Sequence, residues 1–340
     1  MRNGRAMDCK RRQGRPAAVL VSFALLALLK PAHGEEVRIG IGYGLAFLPV
    51  YVCEDLKLVE KHGREAHLNL KPSYRRFPGA GPLDDAIASG ELDMGPFGIV
   101  PLVVQWDKDK GTSRQVLAVS GITTLPLALL SSRADLRSLA DLKPSDRIAL
   151  PTATSPQAYL LEMQSEKVFG QYDKLRDRIE VMNPHDAVAA LIAGSGPAAD
   201  FASPPYTQVA LEDVRVHKVL TSAEVIGGKS SFLIMGATRR YVAAHSKVPA
   251  AIDAAMAEAA KIIHDDPRRA AQIYLAHEPS KTLSAAAMTA IIGDVKDEFG
   301  SAVYGVQAFG DFLGRHGELK SPPKSWKEIV APALLQSPST

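Results

Sequence analysis

Hydrophobic and polar positions along the chain fall into a repeated order. In VRIGIGYGLAFLPVYVCEDLKLVEKHG, Val37 to Gly63, an alternating run predicts a strand over Val37 to Ile41. A glycine-rich loop follows from Gly42 to Leu45. Apolar positions at helical spacing, among them Val50, Leu56 and Val59, then predict a helix that Gly63 ends. RIALPTATSPQAYLLEMQSEKVFG, Arg147 to Gly170, repeats this: a strand closing near Leu150, a small polar loop, Pro156 in a first helical turn, Tyr159, Leu160, Met163 and Val168 as the apolar stripe, and Gly170 as the stop. A second pair follows the first. DDAIASGELDMGPFG, Asp84 to Gly98, reads as a helix tail, a stop at Gly90, a short strand and a Pro-Phe-Gly loop. DAVAALIAGSGPAADFASPPY, Asp186 to Tyr206, reads as a helix, a stop at Gly194, a strand at about Ala199 to Ala202 and a Ser-Pro-Pro-Tyr loop.

Short strands alternating with helices predict an α/β protein with parallel sheets, here arranged as two related lobes. Val116 to Arg133 holds two β-rich runs broken at Thr123-Thr124-Leu125-Pro126, the pattern of a strand that leaves one sheet for another. Ser230 to Tyr241 would bring the chain back. Beyond Val248 the pattern turns helical, with Ile252, Met256, Ile262 and Ile263 on one stripe, until Asp265-Asp266-Pro267 opens another helix. The expected organisation is a leader over residues 1–34, a first lobe over 35–124, a second lobe over 125–230, and the rest of the first lobe with the C-terminal helices over 231–340. No low-complexity tether separates them.

Charge and cysteine change the picture mainly at the start. Lys10, Arg11, Arg12 and Arg15 precede an apolar block from Ala17 to Leu29, and small residues follow at Ala32 and Gly34, the pattern of a secretory signal cleaved after Gly34. The block is too short to span a membrane, which takes about 20 apolar residues. Residues 1–34 carry seven Lys/Arg and one Asp, so the formal charge of +3 becomes −3 without them, and nothing then suggests a nucleic-acid partner. Cys9 departs with the leader. Cys53 is left alone in an apolar run, unable to form an internal disulfide and read as buried filler.

Candidate chemistry lies in the loops that end the strands. In open α/β sheets ligands bind beyond the carboxyl ends of the strands, where helix amino termini offer free N–H groups and partial positive charge. Gly40-x-Gly42-x-Gly44 fails the dinucleotide fingerprint because Leu45 stands in place of the third glycine, and no P-loop follows. The glycines instead suit close approach of a small ligand to the backbone. Thr152, Thr154 and Ser155 can offer hydroxyls and N–H groups to an oxyanion, or one of them can simply cap a helix. Phe97, Tyr43 and Tyr206 can flank a planar or carbon skeleton, or pack as ordinary loop residues. Arg75 and Arg76 can neutralise an anion or stay solvated, and Thr123 and Thr124 would line the back of a cleft between lobes. There is no H-E-x-x-H, no paired cysteine ligands and no G-x-S-x-G. Ser321-Pro-Pro-Lys324 matches S-x-x-K by letters alone, so neither a catalytic set, a metal nor a cofactor is expected.

With these segments, together with LADLKPSDRIALPTATSPQAYLLE, ASPPY and the late SPPKSWKEI, the chain resembles the NMT1/THI5-like and SsuA-like substrate-binding proteins, receptors of ABC importers in the nitrate, sulfonate and bicarbonate group. The resemblance implies a type II periplasmic-binding-protein fold, two α/β lobes joined by two crossing strands, with a helical C-terminal region. It implies a periplasmic receptor, acting as a monomer, that closes on a small-molecule solute and docks on a membrane permease with its ATPase. Carried over, the cleft positions fall on Tyr43, Gly44 and Leu45 within the 42–46 loop, on Phe97 and Gly98, on Thr123 and Thr124, on Thr154 and Ser155, and on Ser203, Pro204 and Tyr206. A sulfonate or carboxylate is the expected solute, with nitrate, bicarbonate or a pyrimidine-like heterocycle as alternatives. Two readings of other classes stand beside it. One is a ligand sensor. The other is a THI5-like pyrimidine synthase, an enzyme whose cysteine-rich run this chain lacks.

Overall fold

The structure is a computed structural model that describes Met1 and residues 34–335. The expected export signal, with Cys9, lies outside the described residues. Ten strands occur among them. The first four are β1 (Glu35–Ile41), β2 (Leu70–Arg76), β3 (Met94–Gly98) and β4 (Val116–Thr123). Next come β5 (Ala128–Ser131), β6 (Ile148–Leu150), β7 (Ile179–Val181), β8 (Ala199–Ala202), β9 (His217–Thr221) and β10 (Leu233–Thr238). They form two five-stranded sheets, ordered β2-β1-β3-β10-β4 and β7-β6-β8-β5-β9.

The two orders are the same order. In each sheet the first strand of a strand-loop-helix unit pairs in parallel with the next two, β1 with β2 and β3, β6 with β7 and β8. In each, a strand arriving from the other sheet is then inserted antiparallel: β10 between β3 and β4, β5 between β8 and β9. The sheets are therefore mixed, which corrects the expectation of parallel sheets. The physical cause is the crossing itself. A strand that enters from the other sheet lacks the crossover connection that keeps successive strands of one sheet parallel.

The helices between these strands are α1 (Leu48–Leu56), α2 (Leu58–Glu65), α3 (Ala80–Ser89), α4 (Ile99–Lys108), α5 (Pro156–Phe169), α6 (Pro184–Ala193), α7 (Tyr206–Leu211) and α8 (Ser222–Ile226). After β10 the chain is helical: α9 (Arg239–Ala244), α10 (Val248–Asp265), α11 (Pro267–His277), α12 (Ala285–Val295) and α13 (Val306–Arg315). Gly90 and Gly194, the corresponding stops of the two halves, take left-handed conformations at the ends of α3 and α6. Asp266 caps α11, accepting the Arg269 N–H at 2.9 Å, with Pro267 in the first turn as its fixed φ allows.

Two local expectations are corrected. Gly63 is no stop: the helix breaks earlier, at Lys57, which adopts φ 54°, and Gly63 lies inside α2. A Cβ on Gly63 would come within 2.8 Å of the Leu70 side chain, so glycine lets α2 press onto β2. Likewise Pro96-Phe97-Gly98 is no loop but the end of β3, where Phe97 stands opposite Ile234 of β10. The inserted strand gives that backbone the partners a loop would lack.

The outer edge of β4 is covered by segments from far down the chain. Gly121 N–H donates to Ser301 O at 2.6 Å and Thr124 N–H to Glu298 O at 2.7 Å, while Ala118 exchanges bonds with Ile329 and Ala331. All eight residues of β4 are buried. Cys53 is buried in the core of α1, its thiol donating to Ala255 O at 3.4 Å, and burial pushes the thiol's pKa up, so it packs as an inert apolar group. Among the described residues, no helix is long and apolar enough to cross a membrane.

Candidate functional site

Three helix starts meet at one cavity. Gly79 and Gly98 occupy the cap positions of α3 and α4 and supply no side chain to the first-turn N–H groups. The start of α5 faces them, and Gly98 lies so close that a Cβ on it would sit 3.5 Å from Pro156 Cγ. The cavity between them has a volume of about 670 Å³. Its walls are Gly79 to Gly81 and Asp84 from α3, Val100, Pro101 and Val104 from α4, and Thr152, Thr154, Ser155, Gln157 and Tyr159 from the second sheet's side. Phe232 and Leu233, at the return crossing, close the back.

The chamber's electrostatics come from the backbone. No Lys or Arg lines it, and each helix start contributes roughly half an elementary positive charge. Ser155 is the cap of α5: its Oγ accepts the Ala158 N–H at 3.4 Å and donates to Thr152 O at 2.8 Å. Tyr159 donates to Glu318 Oε2 at 3.0 Å, and burial followed by Glu318 pushes its phenol pKa up. Asp84 is the one carboxyl in the wall. Burial, and then the neighbouring Asp85, push its pKa up to about 7.

A second cluster closes the loop after β1. Glu278, at the end of α11, accepts the Gly44 N–H at 2.6 Å and the Tyr51 hydroxyl at 2.5 Å on Oε1, and the Tyr274 hydroxyl at 3.3 Å on Oε2. The Arg76 guanidinium lies over the Tyr51 ring at 4.8 Å and the Tyr43 ring at 5.8 Å, and it contacts His277. Burial first, and the Glu278 charge next, raise the pKa of Tyr206, which brings this residue of α7 into the same electrostatic neighbourhood.

The structure thus divides the sequence-derived candidates. Gly98, Thr154 and Ser155 line the chamber, whereas Tyr43, Gly44 and Tyr206 gather around Glu278. Leu45 and Phe97 are 1% exposed and belong to the core, where the Phe97 ring fills the space over Gly236. Thr123 is buried with its hydroxyl accepting the Leu125 N–H at 2.8 Å, and Thr124 donates its hydroxyl to Glu298. Ser203 and Pro204 follow β8, where Ser203 O accepts the Thr207 N–H at 3.1 Å and the Pro204–Pro205 peptide is cis. Arg75 pairs with Glu91 at 2.5 Å.

Sequence reasoning missed Asp84, Gln157, the apolar wall of α4 and Glu278. The Gly79-Ala80-Gly81 run was a usable signal for an uncapped helix start beside Asp84. Nothing in the sequence joins Glu278 to Gly44.

No family model matches the chain, and no curated protein sequence matches it. Its shape matches many solved structures. The periplasmic aliphatic sulphonate binding protein SsuA from Escherichia coli superposes with a TM-score of 0.69 at 18% identity, over 87% of this chain and 97% of that one. The alkanesulfonate-binding protein SsuA from Xanthomonas axonopodis pv. citri, bound to MOPS, gives 0.64 at 21% identity over 89% and 98%. The periplasmic nitrate-binding protein NrtA from Synechocystis PCC 6803 gives 0.60 at 12% over 88% and 87%. With its two mixed sheets of one strand order, crossed twice by the chain, this protein has the type II periplasmic-binding fold.

Proposed function

We propose that the protein is a periplasmic solute receptor of an ABC importer, of the SsuA-like group, that binds a small organic anion between its lobes and delivers it to a membrane permease with its ATPase. The observation that carries this is the chamber where the starts of α3, α4 and α5 meet. Gly98, Thr154 and Ser155 are the proposed contacts for the anionic group. Val100, Pro101, Val104 and Phe232 offer apolar surface for a carbon skeleton, which favours a sulfonate or carboxylate over nitrate. In this reading residues 1–34 are an export signal, residues 35–124 and 231–340 form one lobe, residues 125–230 form the other, and the receptor works as a monomer. Closure rotates one lobe onto the other about the two crossings, and the solute favours the closed state through contacts that both lobes make.

A thermal-shift panel tests this with alkanesulfonates, aromatic carboxylates, nitrate and pyrimidines. A solute at a hundred times its dissociation constant adds about 2.7 kcal/mol of stability. A rise with sulfonates or carboxylates that weakens in Thr154→Val and Ser155→Ala supports the reading. A rise with uncharged heterocycles alone would remove the anion preference, and turnover of any of these compounds would remove the receptor.

A further inference from the structure

The end of α13 grips α4 and α5 together. Helix α4 follows β3 of the first sheet and α5 follows β6 of the second, so whatever holds both helices ties the sides of the two sheets to each other. Helix α13 packs on α4. Just beyond α13 the chain is fixed to α4 again, because Asp107, 7% exposed, accepts the Lys320 and Ser321 N–H groups at 2.8 and 2.7 Å. Between these anchors Gly317, at φ 74°, turns the chain, and the Glu318 N–H closes on Leu313 O at 2.9 Å. The turn carries three side chains to α5. Arg315 and His316 meet the Glu166 carboxylate at 3.2 and 2.9 Å, and Glu318 accepts the Tyr159 hydroxyl at 3.0 Å. The His316 ring also stacks on Tyr172, just past α5, with centroids 3.9 Å apart.

A single partly exposed ion pair is worth little, but here two carboxylates and a stacked ring pair share one anchored turn, and a network of this kind counts for more. None of these residues belongs to either crossing between the sheets. A rotation about the crossings must therefore break these contacts or slide them, and packed contacts pass between discrete arrangements more readily than they stretch. Tyr159 also lines the chamber, so one contact of the network lies in the solute's wall.

We propose that Arg315, His316 and Glu318 form an inter-lobe latch that holds the closed arrangement through Glu166 and Tyr159 of α5 and lets go when the chamber opens. This takes the movement of the lobes from the receptor reading above and goes beyond it by naming what sets the balance between open and closed without a solute. Because a solute favours the closed state, a latch that already populates that state strengthens binding.

Small-angle X-ray scattering of the purified protein without any solute tests the latch, so its failure leaves the receptor reading standing. The double variant Glu166→Ala/Glu318→Ala is expected to raise the open-to-closed ratio about tenfold or more. The readout is a radius of gyration about 1 Å above that of the wild type, itself expected near 19 Å for a compact chain of about 300 residues. Glu258→Ala serves as control, since it removes the partner of Lys61 and His62, at 2.7 and 2.6 Å, between α2 and α10 on the first sheet's side alone. Its radius should match the wild type. A double variant that keeps native helicity and the wild-type radius overturns the latch, as does an equal rise in Glu258→Ala. Should the double variant fail to fold, Glu166→Gln/Tyr159→Phe, which keeps the size of both side chains, is read in the same way.

Discussion

Glu278 Oε1 stands 2.6 Å from the backbone nitrogen of Gly44, a residue 234 positions earlier in the chain. The glycine-rich loop after β1 is thus already occupied by a carboxylate of the protein itself. Glu278 caps the carboxyl end of α11, where the helix dipole disfavours a negative charge, so its compensation comes from Gly44 and from the hydroxyls of Tyr51 and Tyr274. Truncating Glu278→Ala should cost about 2 kcal/mol, the usual range for a charge-assisted hydrogen bond whose donors are left buried. Denaturant melts measure it. Acetate at high concentration should restore part of the loss in the variant and do little to the wild type. A variant as stable as the wild type would mean that water serves the loop equally well.

The division between legible and hidden features has a physical basis. Strands β1, β3, β6 and β8, and the stops at Gly90 and Gly194, were readable because period and helix stops are local properties. The break at Lys57 was not, since a lysine in a left-handed conformation carries no side-chain signal and is imposed by the packing of α1 and α2. Phe97 read as a loop residue because Pro96 and Gly98 punctuate it, yet β10, a segment more than a hundred residues away, pairs it into a sheet. Of the candidate site, the polar turn at Thr152 to Ser155 was visible as a helix start. Asp84 and Glu278 were not, because what matters about them is the absence of a counter-charge in one case and a distant backbone N–H in the other.

Asp200, 4% exposed in β8, should make stability depend on pH. Its Oδ2 has no hydrogen-bond partner, and burial raises its pKa from 3.8 to about 7. The folded state therefore holds this proton where the unfolded chain has released it, so stability falls as pH rises from about 4 to about 7, by a total on the order of 4 kcal/mol. Asp84 contributes in the same direction and over the same window, so the comparison must isolate Asp200. Asp200→Asn should exceed the wild type in melting temperature at slightly alkaline pH, and the difference should vanish near pH 4. A difference constant across pH would show that the carboxyl titrates normally.

Gly121 should tolerate no side chain. A Cβ built there would lie 2.1 Å from Ala302 O and 2.8 Å from Ala302 C, both backbone atoms. Because the Gly121 N–H is also bonded to Ser301 O at 2.6 Å, the covering segment cannot move away without losing that bond. Gly121→Ala is expected to cost about 3 kcal/mol or more, the upper end of overpacking effects. Gly293→Ala, in α12 with nothing within 4 Å of its added Cβ, should be neutral or stabilising by up to about 1 kcal/mol. Melting temperatures of the two variants decide the matter.

The chamber and the Glu278 cluster are two candidate seats for one solute, and a filling mutation separates them. Val104 lines the chamber from α4 and is partly exposed there, so Val104→Trp places an indole in open space with little disturbance of the core. The unliganded melting temperature should change little. If the solute binds in the chamber, the stabilisation it brings should disappear, because the ring occupies the volume its carbon skeleton needs. Val214→Trp, at a position 99% exposed, controls for the added indole. If the solute instead displaces Glu278 from Gly44, Val104→Trp will leave its binding intact while Tyr206→Ala weakens it. That outcome would move the site to the loop after β1, and the assignments of Thr154 and Ser155 as contacts would be given up.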